Sequence, residues 1–316
     1  MEDEIKVSIN CITYNHENYV EDAIQSFLMQ KTNFKYEVLI HDDASTDSTA
    51  DIIRSYQKKY PDIIKPILQN ENQFSKGVKQ LDYIYNYKRA KGKYIAICEG
   101  DDYWKDPYKL QKQVDYMESN PSCTLCTHAV DGIDAQSGEI IKLIRPSNSN
   151  DRIDISRFIL GGGMFIGTNS ILYRKEVLKN PPKWYFDAPV GDYPLQIFLA
   201  SKGDVYYIDK SMSVYRHNVP GSWSNRVYFS ERRINHFREI SKMLDAINEY
   251  TNYKYKKEIE IRKKNNLKDV ILYGCNILLQ NGRIDMMTTG KFKKFYDKLS
   301  EEEKIKLYTK FKGIKF

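Results

Sequence analysis

Residues Tyr94–Trp104 read YIAICEGDDYW. The apolar run Tyr94-Ile95-Ala96-Ile97-Cys98 has strand character and stops abruptly at Glu99-Gly100-Asp101-Asp102. Apolar residues in succession, without alternation, fit a strand buried on both faces, as in a parallel sheet. The three carboxylates at its end do not fit burial, because desolvating unpaired carboxylates is costly. Such a cluster needs a cation or water, and Gly100 leaves room for a ligand or a tight turn. Taken alone, the stretch leaves two readings open: a divalent-cation site at the carboxyl end of a strand, or a solvated acidic turn.

The surrounding chain has 316 residues, 29% charged and 41% hydrophobic, the mixture of a soluble globular protein with a sizeable core. No apolar stretch approaches the roughly 18–20 residues that span a bilayer. The start, MEDEIKVSIN, lacks the basic and apolar segments of a secretory signal, so the expected location is cytoplasmic. Cys11 and Cys98 fall in strand-like runs as small hydrophobes. Cys123 and Cys126 have metal-like spacing but no second ligand pair, so no zinc site is expected. The net charge of +7 is concentrated after residue 225. Excess positive charge attracts anionic partners without choosing among them. No zinc finger, RNA-recognition signature or helix-turn-helix accompanies it, so nucleic acid is not an expected partner.

Outward from the opening stretch, strands alternate with helices. Lys6–Thr13 reads as a strand, followed by the polar loop Tyr14–Asn18 and an amphipathic helix over Tyr19–Met29. A second strand, Tyr36–His41, ends in Asp42-Asp43-Ala44-Ser45-Thr46-Asp47, and a helix follows over Thr49–Tyr60. Ile63–Gln69 is the expected third strand and Gly77–Ala90 a helix leading into the fourth. Units of about thirty residues imply βαβ connections and a mainly parallel sheet. Such sheets bind ligands beyond the carboxyl ends of their strands, where loops 13–18, 42–47 and 99–102 would meet. Further on come a helix over Lys105–Ser119, strands over Ser122–Val130, Glu139–Ile144 and Asp204–Ile208, and a loop at Tyr215–Ser224. The glycine run Gly161-Gly162-Gly163 matches no phosphate loop and reads as a close-packed loop against a ligand. Asp192, with Pro194 behind it, sits at a helix start, where aspartate is often only a cap. After Arg226 the chain becomes helical and basic. The expected organisation is therefore a domain over 1–225 and a helical, basic region over 226–316.

In order and spacing, this set resembles the family 2 glycosyltransferases, which have the GT-A fold, a Rossmann-like α/β architecture. The matching points are Val7-Ser8-Ile9 with Thr13-Tyr14-Asn15, Asp42 to Thr49, Glu99-Gly100-Asp101-Asp102, Gly191-Asp192-Tyr193 and Tyr215-Arg216-His217. The resemblance covers about residues 5–225. It implies an inverting transfer from a nucleotide-sugar donor, most often a UDP-sugar, to a saccharide or lipid-linked glycan in bacterial surface polysaccharide synthesis. Thr13, Tyr14, Asn15, Asp42, Asp43, Glu99, Gly100 and Asp102 would lie along the donor nucleotide. Asp101 would bind Mn²⁺ or Mg²⁺, with His217 as the loop residue that joins it in some members, and Asp192 would be the general base. Glu99 departs from the family's usual acid in the first position of its DXD motif. Asn169 and the glycine loop would be acceptor-side elements. The basic, aromatic segment 291–316 is a candidate for peripheral contact with the inner membrane face.

Three rivals make different demands. A sugar-1-phosphate nucleotidyltransferase usually opens with a glycine-rich basic loop, and Tyr14–Asn18 has neither glycine nor lysine. A non-catalytic nucleotide-sugar-binding module requires neither Asp192 nor the acid cluster. A metal-dependent hydrolase normally needs more histidines than these five.

Overall fold

The computed structural model describes residues 4–223 and 232–280, with 293, 297, 299–302 and 304. The chain forms two compact units, Met1–Arg226 and Val227–Phe316. The first is built on one sheet with strand order β3-β2-β1-β4-β9-β6-β10-β5. Its members are β1 (Ile5–Thr13), β2 (Lys35–Asp42), β3 (Ile64–Leu68), β4 (Tyr94–Ile97), β5 (Tyr103–Trp104), β6 (Cys123–Asp134), β9 (Leu172–Arg174) and β10 (Asp204–His217). β7 (Ile140–Ile144) pairs with β6, and β8 (Asp151–Arg152) with β10. The ladders β3-β2, β2-β1, β1-β4 and β6-β10 are parallel. The short β9 lies antiparallel between β4 and β6 and joins these two parallel blocks.

Helices α1 (Val20–Leu28), α2 (Thr49–Lys59) and α3 (Lys109–Ser119) carry the chain between strands. α1 buries Val20, Ala23, Ile24 and Phe27, the stripe that its helical spacing predicts. They pack on Val7, Ile9 and Cys11 of β1, Val38 and Ile40 of β2, and Tyr94, Ala96 and Cys98. Cys123 and Cys126 are buried inside β6.

The expected helix over Gly77–Ala90 is instead a π-type turn at Asp82–Asn86 followed by a 3₁₀ turn at Tyr87–Arg89. Gln80 stands before it at φ +52° and ties the segment elsewhere, its Nε2 donating to the carbonyls of Tyr185 (3.0 Å) and Val190 (3.2 Å). The widened turn lets Asn86 Nδ2 reach Asn10 Oδ1 at 2.8 Å and the Cys11 carbonyl at 3.0 Å. The second difference is β10, which continues past Ile208 to His217. The Tyr215-Arg216-His217 stretch expected in a loop is therefore extended strand.

In the second unit, helices Arg232–Tyr250 and Lys256–Gln280 bury Phe237, Ile240, Met243, Leu244, Ile247 and Ile259. Among the described residues, no helix is long and apolar enough to cross a membrane. The segment 291–316 falls largely outside the described residues.

The amino-terminal ends of β1, β2 and β4 are tied by a buried network. Glu37 Oε1 accepts from Ser8 Oγ (2.7 Å) and Lys91 N–H (2.8 Å), and Ser8 Oγ accepts from Gly92 N–H (2.9 Å). Removing the carboxylate leaves the buried Ser8 hydroxyl without its acceptor, costing about 1–3 kcal/mol, and also frees the part-buried Lys91 N–H. Glu37→Ala should lower the urea midpoint accordingly and Glu37→Gln, which retains an acceptor, should lower it less. Equal midpoints for wild type and Glu37→Ala would show that the network does not hold this edge.

Candidate active site

Because β1, β2 and β4 run parallel, the loops that leave them emerge on one rim. Hydrogen bonds stitch the first two loops together. Asn15 N–H donates to Ser45 Oγ (2.8 Å), and Asn15 Oδ1 accepts Thr46 N–H (2.8 Å). Glu17 N–H donates to Asp47 Oδ2 (3.1 Å), while Glu17 Oε2 accepts Ser48 N–H (3.0 Å). Asn15 adopts φ +56°, a conformation that asparagine tolerates better than most residues. The third loop docks on the first, with Gly100 N–H donating to the Ile12 carbonyl at 2.9 Å. A Cβ on Gly100 would come within 2.7 Å of Thr13, so the close approach requires glycine there.

The two acids ending β2 have different surroundings. Asp42 is turned into its own loop, accepting from Ser45 N–H (3.1 Å) and the Ser45 hydroxyl, and burial raises its pKa. Asp43 is enclosed beside a different segment, its carboxylate accepting the N–H groups of Gln73 (2.8 Å) and Phe74 (3.0 Å). Tyr14 stands on the rim with its ring 37% exposed, open to stacking.

Ligand atoms of Glu99, Asp101 and Asp102 lie within 4.8 Å of one another. Asp102 is clamped: Oδ1 accepts Arg216 N–H at 2.9 Å and Oδ2 accepts Asn169 Nδ2 at 3.0 Å. Asn169 is fully buried and bonded on every side, donating to the Val214 carbonyl (2.9 Å) and accepting from Ser213 Oγ (2.7 Å) and Trp104 Nε1 (2.9 Å). Asn169 thus acts as a support for the acidic loop, with no polar side-chain atom left over for an acceptor. The Arg216 guanidinium lies against the rings of Tyr19 and Tyr103, pairs with Asp22, and donates to the Asp101 carbonyl at 2.8 Å.

The cluster carries an unbalanced negative charge. Burial, then the charges of Asp101, Asp192 and Asp82, raise the Glu99 pKa. Burial and the charges of Asp101 and Glu99 raise that of Asp102, against the pull of the Arg216 contact. Asp82, on the π-type turn, is itself pushed up to about 6 by burial. Mutual repulsion of this kind is relieved by a cation, and an all-oxygen donor set suits Mn²⁺ or Mg²⁺. The residues present fit such an ion.

Asp192 opens the helix Asp192–Ala200. Tyr193 Oη donates to the Ile159 carbonyl at 2.7 Å and Gln196 Nε2 to that of Gly163 at 3.3 Å, which holds the helix against the glycine loop. A Cβ at Gly163 would lie 3.3 Å from Asp192 Oδ2, so glycine leaves that flank of the carboxylate open. Burial pushes the Asp192 pKa up to about 6, against the pull of the Tyr193 amide.

Neither His217 nor His16 is one of the three clustered carboxylates. Neighbouring residues on a strand point to opposite faces. The Arg216 side chain reaches the Asp101 carbonyl, and His217 turns the other way, its Nε2 close enough to Gly132 that a Cβ there would approach within 2.7 Å. The imidazole beside the acids belongs to His16, with Nε2 3.7 Å from Asp101 Oδ2. His16, Asp82 and the clamp on Asp102 were not singled out by spacing. His16 lies one residue past Asn15, and Asp82 lies in a segment whose pattern reads as ordinary helix.

The family model described as Glycosyl transferase family 2 matches residues 8–180. An uncharacterized protein of Mycobacterium tuberculosis is 37% identical over 240 residues, which is 72% of this chain and 62% of that protein's length. The chain thus spans less than two thirds of that relative. Among solved structures, Staphylococcus aureus TarS 1–349 in complex with UDP-GlcNAc superposes with a TM-score of 0.60 at 18% identity, covering 97% of this chain and 80% of that one. The mannosyltransferase PcManGT of Pyrobaculum calidifontis, in complex with GDP-Man and Mn²⁺, gives 0.53 at 15% identity over 98% and 87%. These two likenesses establish a shared GT-A-type α/β fold. With a family match covering more than half of its length, this chain belongs to glycosyl transferase family 2.

Proposed function

We propose that the protein transfers a sugar from a UDP-sugar to a hydroxyl of a saccharide or lipid-linked glycan in surface polysaccharide synthesis, with inversion at the anomeric carbon. The observation that carries this reading is Asp192. It is a carboxylate at the start of a helix, with Gly163 leaving one flank open, and burial pushes its pKa up to about 6. In this reading Asp192 takes the proton of the acceptor hydroxyl as its oxygen bonds to the anomeric carbon. The bond from that carbon to the diphosphate oxygen breaks, and its electron pair leaves with UDP. A single base acting in an in-line displacement needs no covalent intermediate.

The donor lies along the rim formed by Thr13, Tyr14, Asn15, Asp43, Glu99, Gly100 and Asp102, with Tyr14 against the base. Asp42 supports the turn that presents Asp43. Asp101 holds Mn²⁺ or Mg²⁺, which when bound supplies positive charge to the donor diphosphate. TarS crystallised with UDP-GlcNAc and PcManGT with GDP-Man and Mn²⁺ support a nucleotide-sugar donor and a cation. The segment 291–316 would hold the enzyme at anionic lipid on the inner membrane face.

Asp192→Asn should reduce transfer by about 10²–10⁴-fold while UDP binding stays within a few-fold of wild type. The base must be deprotonated to act, so kcat/KM in the wild type should fall as pH drops through about 6. Transfer near the wild-type level in Asp192→Asn, or a flat acid limb, would remove Asp192 from this role. For the cation, Asp101→Ala and EDTA should each abolish metal-dependent UDP binding measured by calorimetry, and affinity indifferent to both would argue for a metal-free site. Cosedimentation with vesicles containing phosphatidylglycerol addresses the membrane. The triple variant Lys291→Glu, Lys293→Glu, Lys294→Glu should pellet less than wild type, and equal pelleting counts against an anchor in that segment.

A further inference from the structure

The placement of His16 is determined by the backbone around it. Its N–H donates to Thr49 Oγ1 at 2.8 Å. Its carbonyl accepts the N–H groups of Tyr19 (2.9 Å) and Val20 (2.8 Å), so the first turn of α1 anchors it from the other side. From there the ring reaches Asp101, with Nε2 at 3.7 Å from Oδ2 and the two side chains only 14% and 16% exposed. The Asp101 carboxylate accepts no hydrogen bond from any described residue, unlike Asp102.

Two enclosed polar atoms lack partners at this point. They are His16 Nδ1 and Thr13 Oγ1, and Thr13 is 4% exposed. Both face Gly100: a Cβ built there would meet Thr13 Oγ1 at 2.7 Å and His16 Nδ1 at 3.1 Å. An imidazole that gives its Nε2 lone pair to a cation carries its proton on Nδ1 and needs an acceptor there. Thr13 Oγ1 lies on the same side of Gly100 and has its lone pairs unused.

We propose that His16 Nε2, together with Asp101, ligates the divalent cation that accompanies the donor diphosphate, with Thr13 Oγ1 accepting the Nδ1 hydrogen bond. The proposal rests on the donor-site reading above and replaces His217 with His16 as the histidine of the site. A nitrogen ligand changes the selectivity. Mg²⁺ prefers oxygen alone, whereas imidazole is accepted more readily by Mn²⁺ and later transition metals, so the site should favour Mn²⁺ over Mg²⁺.

The test is electron spin-echo spectroscopy of Mn²⁺ bound to the full chain in the presence of UDP. Wild type should show nitrogen-14 modulation from one imidazole. His16→Gln should lose that modulation and bind Mn²⁺ about tenfold or more weakly, with most of its Mn²⁺ over Mg²⁺ preference gone. His217→Gln should keep the modulation, and Thr13→Val should keep it while weakening the affinity. Modulation that persists in His16→Gln, or is absent from wild type that still binds UDP and Mn²⁺ together, overturns the His16 assignment and leaves the donor reading standing. Wild type that binds no UDP with Mn²⁺ overturns the donor reading and this proposal with it.

Discussion

The acidic loop after β4 depends on how Asp102 is held. A buried carboxylate beside Glu99 and Asp101 would be expelled by repulsion and desolvation if left unpaired. Here each of its oxygens receives one N–H: the Asn169 amide from the turn before β9 and the Arg216 backbone from β10. Asn169 and Arg216 lie 67 and 114 residues along the chain from Asp102. The site therefore forms only when both parallel blocks of the sheet are in place, joined through β9. Arg216 contributes backbone and side chain together. Its amide holds Asp102, while its guanidinium holds the Asp101 carbonyl and packs between two tyrosines.

With Asp102 occupied, the remaining acids are distinguished by their surroundings. Glu99 is half-buried among like charges, and that burial and those charges raise its pKa. Asp101 is left without hydrogen bonds from described residues and faces His16. Asp192 opens a helix beside Gly163, and burial pushes its pKa up to about 6. One short acidic motif thus places three carboxylates in three different surroundings. The difference comes from partners, since the carboxylates themselves are chemically alike.

Local pattern was enough to read the strands β1, β2 and β4, the helices α1 to α3, and the convergence of three loops on one rim, because apolar periodicity and turn residues are local signals. It failed where a tertiary contact outweighed that signal. The segment Gly77–Ala90 has a helical pattern but is drawn into a π-type turn by Asn86 bonding to β1 and by Gln80 reaching the Tyr185 and Val190 carbonyls. Tyr215-Arg216-His217 reads as a polar loop but is strand, because Arg216 finds its partners on the acidic loop. Asn169, expected near an acceptor, is instead spent entirely on holding Asp102 and β10.

By itself the sequence determined the fold class, the family and the set of acids at the carboxyl ends of the strands, since each is written in residues adjacent along the chain. Only the tertiary structure decided which acid is clamped, which is free, and which histidine stands beside them. Those assignments depend on the alternation of β10, which sends Arg216 to one face and His217 to the other. They depend equally on the close approach at Gly100 that brings His16 and Thr13 to the acidic loop. Both are contacts between segments far apart in sequence, where spacing carries no signal.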